Sequence, residues 1–344
     1  MRTTLPCPLL VLPSILIFSL ISPLLAQQSG GGRLTGDIVG GAALIFRAPQ
    51  NPDVHETSGG QGTVGGGRTR GGRTTKPAVR QQEQFIARGN AARKAAKPKE
   101  AEEQYRLAAT VAPTDARAFA GLGNIYVDQS RFQEAVDSYR QAIKLKPDYQ
   151  AAYLPLAFSL ARLGKYEEAI SIYEKLKEQD PTNPEVFNNL GFAYNEKGRY
   201  QDSVVVTNRA IELLGATGQA YTQGFQDRNE LLSYAYKNLG NAYNGLGQYE
   251  EAATALKKSV EIVPANAAAY FNLGLTLYNA KRYSEAIEAY QNVLKLRPSL
   301  AQAHYNLGLT YVAINDHKSA RGEYEALKAI NSDLAAQLAK LLKK

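Results

Sequence analysis

The chain has 344 residues, a formal net charge of +8, three histidines and a single cysteine. One cysteine excludes an internal disulfide framework and a thiolate metal cluster. Half of the positive surplus falls in one short stretch near the N-terminus, so charge and fold are separate questions here.

Residues 1–26 read as a secretory signal. Arg2 supplies a positive start, residues 8–25 are almost wholly apolar, and Ala26 is a small residue at a plausible cut site. Leu24, at the −3 position, is larger than ideal, which allows the cut to shift by a few residues. An uncleaved membrane anchor is the rival reading, because the run approaches the length of a short span; Pro13 and Pro23 argue against it. Cys7 precedes the apolar run, so it is not a lipoprotein cysteine. Cleavage leaves a mature chain without cysteine and without cysteine catalysis. The expected location is extracytoplasmic, either periplasmic or secreted.

Residues 27–81 differ in kind. Glycines cluster at 30–32, 59–60, 65–67 and 71–72. Seven basic residues (Arg33, Arg47, Arg68, Arg70, Arg73, Lys76, Arg80) stand against Asp37, Asp53 and Glu56, a surplus of four. Glycine-rich polar sequence cannot bury enough surface to fold, so the composition predicts a disordered tether. Its apolar insert, Ile38 to Phe46, reads as a linker segment or a sticky strand. The stretch Gly65 to Arg73 is similar to RNA-binding Arg-Gly boxes, but no aromatic is interleaved at 57–80, and stacking platforms need them. A nucleic-acid-binding protein is therefore the weakest of the functional alternatives.

From residue 82 a pattern returns every 34 residues. Pro113, Pro147 and Pro181 keep that interval, as do Pro264 and Pro298 after an interruption. Seven units fit: 82–115, 116–149, 150–183, 184–217, 233–266, 267–300 and 301–334. Position 4 of each unit is aromatic except for His304. Position 8 is Gly or Ala157, position 20 is Ala except for Ser203, and position 24 is Tyr except for Thr207 and Leu256. Positions 4, 7, 8 and 11 share one helical face. Small residues at 8 and 20 let two backbones approach, with the aromatics at 4 and 24 filling the space beside them. A turn near position 15 uses Gly164, Gly198 and Gly247, and proline at 32 blocks helix continuation. Each unit is then a helical hairpin that must stack on its neighbours. Residues 218–232 are an insertion within the array 82–331. Tyr221 and Phe225 lie one turn apart there, so the helix can run on or fold back. Leu334, Leu338, Leu341 and Leu342 form a stripe over 332–344, read as a capping helix with Asp333 and Lys340, Lys343 and Lys344 matched to its dipole.

These residues resemble the tetratricopeptide repeat (TPR) family over about three quarters of the chain. The resemblance implies an all-α solenoid, a right-handed superhelix of seven hairpins whose first helices line a concave groove. Units two and three place Ala120, Asn124, Leu154, Phe158 and Ala161 on that face. Units four to seven repeat asparagine at position 6: Asn189, Asn238, Asn272 and Asn306. This is similar to the asparagine ladder in the repeats of O-linked N-acetylglucosamine transferase, although no glycosyltransferase domain accompanies it. The ladder implies contacts to an extended peptide backbone, with Phe192, Lys237, Asn241, Phe271, Leu275, Tyr278, Tyr305 and Leu309 around it. A purely local, structural role for these asparagines stays open. Lys237 and Asn241 match the first rung of the carboxylate clamp of chaperone-binding TPR proteins, but Leu275, Tyr305 and Leu309 break it.

No catalytic residue, metal site or cofactor is expected. His55 lies in the tether, and His304 and His317 occupy aromatic positions of the repeat. No glycine run falls between a strand and a helix, and none is followed by Gly-Lys-Ser/Thr. The expected function is a non-enzymatic scaffold or adaptor that binds protein or peptide in the concave groove outside the cytoplasm. The alternative is an envelope-anchored assembly factor whose basic tether holds a membrane or other anionic surface.

Overall fold

The computed structural model describes residues 77–216 and 228–343. The signal-like segment 1–26, the tether as far as residue 76 and the stretch 217–227 lie outside them. The described residues form fifteen α-helices, one short 3-10 turn and no strand. The hairpins run in chain order. Unit one is α1 (Pro77–Lys94) with α2 (Pro98–Val111), and unit two is α3 (Ala116–Asp128) with α4 (Phe132–Leu145). Unit three is α5 (Tyr153–Arg162) with α6 (Tyr166–Gln179), and unit four is α7 (Pro184–Glu196) with α8 (Tyr200–Ala216). Then come α9 (Arg228–Gly245) with α10 (Tyr249–Ile262), α11 (Ala267–Asn279) with α12 (Tyr283–Leu296), and α13 (Ala301–Ala313) with α14 (His317–Ile330). Helix α15 (Ser332–Leu342) ends the array.

The turn inside every hairpin is the same. Position 15 has positive φ in all seven units, at Ala96, Ser130, Gly164, Gly198, Gly247, Lys281 and Asn315. The sequence marks only three of these with glycine. Two bonds recur at each turn. In unit two Arg131 N donates to Tyr126 O at 2.7 Å and Ser130 N to Val127 O at 2.9 Å; in unit six Arg282 N donates to Leu277 O at 2.8 Å and Lys281 N to Tyr278 O at 3.0 Å. This is a Schellman closure, in which the left-handed residue lets two amides turn back onto the last helical carbonyls.

Packing within a hairpin rests on position 8. A Cβ built on Gly123 would lie 2.6 Å from the Tyr139 ring, one on Gly274 2.7 Å from Tyr290, and one on Gly240 2.6 Å from Leu256. The side chain at position 24 therefore lies directly on the glycine rather than beside it, as the spacing suggested. Tyr105, Tyr139, Tyr173 and Tyr290 are all fully buried there. Their hydroxyls need acceptors: Tyr105 donates to Asn90 Oδ1 at 2.6 Å and Tyr139 to Asn124 Oδ1 at 2.7 Å, both at position 9 of the same unit.

Unit three starts differently. A 3-10 turn, Gln150–Ala152, precedes α5, and Pro155 is the third residue of that helix. Proline there has no N–H to give the preceding turn. In unit four Ser203 Oγ donates to Gly191 O at 2.8 Å, so the serine at position 20 ties α8 to α7. The insertion is partly helical: α9 begins five residues ahead of the repeat register, and Arg228 Nε donates to Leu214 O at 2.7 Å. Tyr221 and Phe225 lie outside the described residues. At the C-terminus Asn331 caps α15 through Asp333 N and Leu334 N, and Leu338 lies where a Cβ on Gly308 would be, 2.6 Å away. Helix α15 thus covers α13 as a further first helix would.

His304 sits at the aromatic position and is partly buried, with Nδ1 2.6 Å from Glu323 Oε2 and Nε2 2.9 Å from Pro298 O. Tyr153 reaches the equivalent Pro147 O at 2.6 Å, so the imidazole does take an aromatic's place. His317 does not. It opens α14 exposed to solvent, where units three to six put half-buried tyrosines.

Two outcomes follow from these contacts. Lys281→Gly should raise stability by about 1 kcal/mol, because it removes the left-handed cost of a Cβ; chemical denaturation measures it, and no gain would place the constraint elsewhere. The Glu323 hydrogen bond holds the His304 pKa above its ordinary value, with the Pro298 carbonyl adding to it. A raised folded pKa gives stability that is complete below the unfolded value of roughly 6.5 and is lost as pH rises through the folded one. The melting temperature should therefore fall from about pH 6 to about pH 8 by more in the wild type than in His304→Phe.

Candidate functional site

The face that the repeat resemblance implies is concave belongs to the first helix of each hairpin. Asp115, Asn183 and Asn266 cap α3, α7 and α11 through side-chain oxygens that accept from backbone N–H groups. Caps fix where each helix starts, and so set which residues reach the face.

The structure divides the expected site residues into two groups. Asn241, Asn272, Leu275, Tyr278, Tyr305, Asn306 and Leu309 are half-exposed on α9, α11 and α13. Tyr278 meets Tyr283 edge to face at 5.5 Å, while Tyr305 and Leu309 pack against the cluster of Ala301, Leu327, Ala335 and Leu338. Burial pushes the Tyr278 and Tyr305 hydroxyls above the usual tyrosine range, so both are neutral donors at physiological pH. Asn272 Nδ2 donates to Asn241 Oδ1 at 2.7 Å, joining successive rungs. Asn306 shares a hydrogen bond with the Tyr290 hydroxyl.

The second group is buried. Asn189, Lys237 and Asn238 have no exposed surface, and Phe192 and Phe271 have almost none. Phe271 packs edge to face on Tyr290 at 5.8 Å, and Phe192 on Tyr166 at 5.9 Å. Asn238 Nδ2 donates to Asn188 Oδ1 at 3.0 Å, Asn195 Nδ2 to Asn238 O at 2.9 Å, and Asn188 Nδ2 to Asn189 Oδ1 at 3.3 Å. The Lys237 ammonium lies 5.4 Å from the Tyr234 ring centroid and acts on the Glu196 carboxylate. An open asparagine ladder from unit four onward is thus not what the helices present. In units four and five the amides stitch α7 to α9. The reason is the approach of these helices: position 5 of unit four is Asn188, short enough to meet the next rung's amide. The apolar wall of units two and three behaves alike, with Ala120, Asn124, Phe158 and Ala161 buried and Leu154 half-buried.

Sequence reasoning missed Glu185, Asn188, Asn195 and Asn244. Asn244 Nδ2 donates to Thr276 Oγ1 at 2.6 Å, and Glu185 is a buried carboxyl. Burial alone pushes Glu185 well above the usual carboxylate range. An acid in a first helical turn reads as a dipole partner, which hides its burial. Among the described residues no group of three His, Cys, Asp or Glu is placed to hold a metal, and no helix is long and apolar enough to cross a membrane.

Tetratricopeptide repeat family models match residues 86–149, 126–190 and 301–334, and a TPR repeat model matches 240–281 and 277–315. Together they cover more than half of the chain, which belongs to the tetratricopeptide repeat family. No curated protein matches it significantly in sequence. Among solved structures, a tetratricopeptide repeat protein from Parabacteroides merdae gives a TM-score of 0.58 at 17% identity, covering 77% of this chain and 100% of that one. A chain of the APC/C hetero-tetramer Cut9–Hcn1 gives 0.58 at 21% identity, covering 67% of this chain and 43% of that one, so this chain spans less than half of that neighbour. YrrB, described as a TPR protein with an unusual peptide-binding site, gives 0.45 at 23% identity, covering 60% of this chain and 100% of that one. The fold is an all-α TPR solenoid with a C-terminal capping helix.

Asn238→Ala should lower stability by about 1–3 kcal/mol, since it leaves the buried Asn188 oxygen without its donor. Asn272→Ala, at a half-exposed rung, should cost less than about 1 kcal/mol. Urea denaturation of the two variants compares them, and equal losses would mean that burial does not separate the rungs.

Proposed function

We propose that this TPR chain is a non-enzymatic scaffold, acting outside the cytoplasm, that binds an extended segment of a protein partner along α9, α11 and α13. The observation that carries the reading is the half-exposed band of apolar and amide side chains there. Leu275, Tyr278, Tyr305 and Leu309 offer apolar surface, and Asn241, Asn272 and Asn306 alternate with them. Aromatic rings that are partly covered before binding bury further area with little loss of side-chain freedom. Amides supply both a donor and an acceptor for a peptide backbone. The Asn241–Asn272 bond keeps two rungs in fixed orientation, which lowers the ordering cost of binding.

Residues 1–26 support export. The basic residues of the tether favour a second reading, in which an anionic surface holds the chain and the array spaces its partners. The two differ in salt dependence: tether attachment weakens as ionic strength rises, whereas apolar groove contacts do not.

Tyr278→Ala combined with Leu309→Ala should weaken binding of a selected peptide by about tenfold or more, on the order of 1.4 kcal/mol. Helical circular dichroism should be retained. Titration calorimetry of the full chain measures the affinity; unchanged binding by the folded double variant would move the site off this face.

A further inference from the structure

The capping helix repeats the register of a first helix. Asp115, Asn183 and Asn266 each stand one residue ahead of position 1 and cap α3, α7 and α11, and Asn331 caps α15 in the same way. Ser332 is then position 1, although the 34-residue interval from Ala301 would put it at Ala335, so the connection is shorter by three residues. Burial agrees with that register. Ala335, Leu338, Ala339 and Leu342 fall on positions 4, 7, 8 and 11 and are buried or half-buried. Asp333, Ala336, Gln337, Lys340 and Lys343 fall on positions 2, 5, 6, 9 and 12 and are exposed. Tyr305, Leu309 and Val312 of α13 pack against the cluster that holds Ala335 and Leu338, so the half-exposed band borders this helix. Gln337 continues at position 6 the amides of Asn272 and Asn306.

Charge changes at that border. Positions 5, 6, 9, 12 and 13 of units five to seven hold one charged side chain, Lys237, which is buried, and no acid. On α15 positions 9 and 12 become Lys340 and Lys343. Neither is in an ion pair among the described residues. Asp333, the acid on this face of the helix, lies two turns before Lys340, at the other end of α15. A neutral band of apolar and amide groups thus runs into a cationic rung.

We propose that the segment bound on this face lays apolar residues over α11 and α13 and an aspartate or glutamate side chain over Lys340 and Lys343. The inference rests on the peptide-binding reading above and adds the charge of the occupant. The site is not the carboxylate clamp, which fails at Leu275, Tyr305 and Leu309; its cations come from the capping helix. Exposed ion pairs are individually weak, but complementary charge at one end fixes the register of what binds. Packed helices stand about 8–10 Å apart, and an extended chain advances about 3.3 Å per residue. The acid should therefore lie about three positions from the apolar residue that covers α13.

The test is selection of a displayed random-peptide library on the full chain. A selected peptide, synthesised with an amidated C-terminus, is then titrated beside its Asp→Asn or Glu→Gln analogue, on the wild type and on the double variant Lys340→Gln, Lys343→Gln. Selected peptides should share one acidic position at that spacing from an apolar one. At low ionic strength the acidic form should bind the wild type about threefold or more tightly than the amide. The double variant should bind the two about equally, with its helical circular dichroism retained. Selected peptides without a shared acidic position, or binding lost on amidation alone, would overturn the inference and leave the groove standing. So would a preference kept by the double variant, because the basic tether would then be its source. A chain that selects no peptide overturns the groove reading itself. Should the double variant fail to fold, the matched pair on the wild type decides alone, and equal affinities sink the proposal.

Discussion

A bulky side chain at position 24 lying on a glycine at position 8 sets how closely the two helices of a hairpin approach. Tyr139 on Gly123 and Tyr290 on Gly274 leave no room for even a methyl group. Because the ring is fully buried, its hydroxyl must find an acceptor without reaching water. For Tyr105 and Tyr139 that requirement travels to position 9 in the same unit, while Asn306 of the next unit pairs with the Tyr290 hydroxyl. Core packing and the polar chemistry of the concave face are therefore one problem. The choice of residue at position 9 decides whether a tyrosine is satisfied internally.

The array itself was legible in the sequence because its determinants are periodic. Proline at 32, glycine at 8 and alanine at 20 each act through backbone geometry, and geometry repeats. The hairpin turn was legible in part. Gly164, Gly198 and Gly247 announce a left-handed residue, but Ala96, Ser130, Lys281 and Asn315 adopt the same conformation without glycine. Seven closures with the same hydrogen bonds show that the stacked helices impose the turn, whatever the residue's own preference. Local propensity was overridden there by tertiary context.

The face was harder to read, because helical periodicity says which direction a side chain points and not how near the next helix lies. Asn238 and Asn272 hold the same repeat position, yet one is buried against Asn188 and the other is half-exposed against Asn241. The difference comes from a neighbour, asparagine at position 5 of unit four, that no single-unit pattern contains. Glu185 was invisible for a related reason. A carboxylate in a first helical turn has a sufficient local explanation, so nothing in the sequence asks for a second.

Departures from the repeat concentrate in one part of the chain. Pro155, Phe158, Ser203, Thr207 and the insertion after α8 all fall in units three and four or at their junction with unit five. Five of the seven unpartnered buried oxygens among the described residues, those of Tyr173, Glu185, Asn195, Thr207 and Asn238, fall in or beside the same region, and those of Gln104 and Asn244 lie outside it. His304 and Leu256 also depart from the pattern, but the unpaired groups of this region each cost about 1–3 kcal/mol, so stability does not account for them. Local inconsistencies of this kind are characteristic of functional positions. The regular units thus hold in place a section that is less well satisfied by itself.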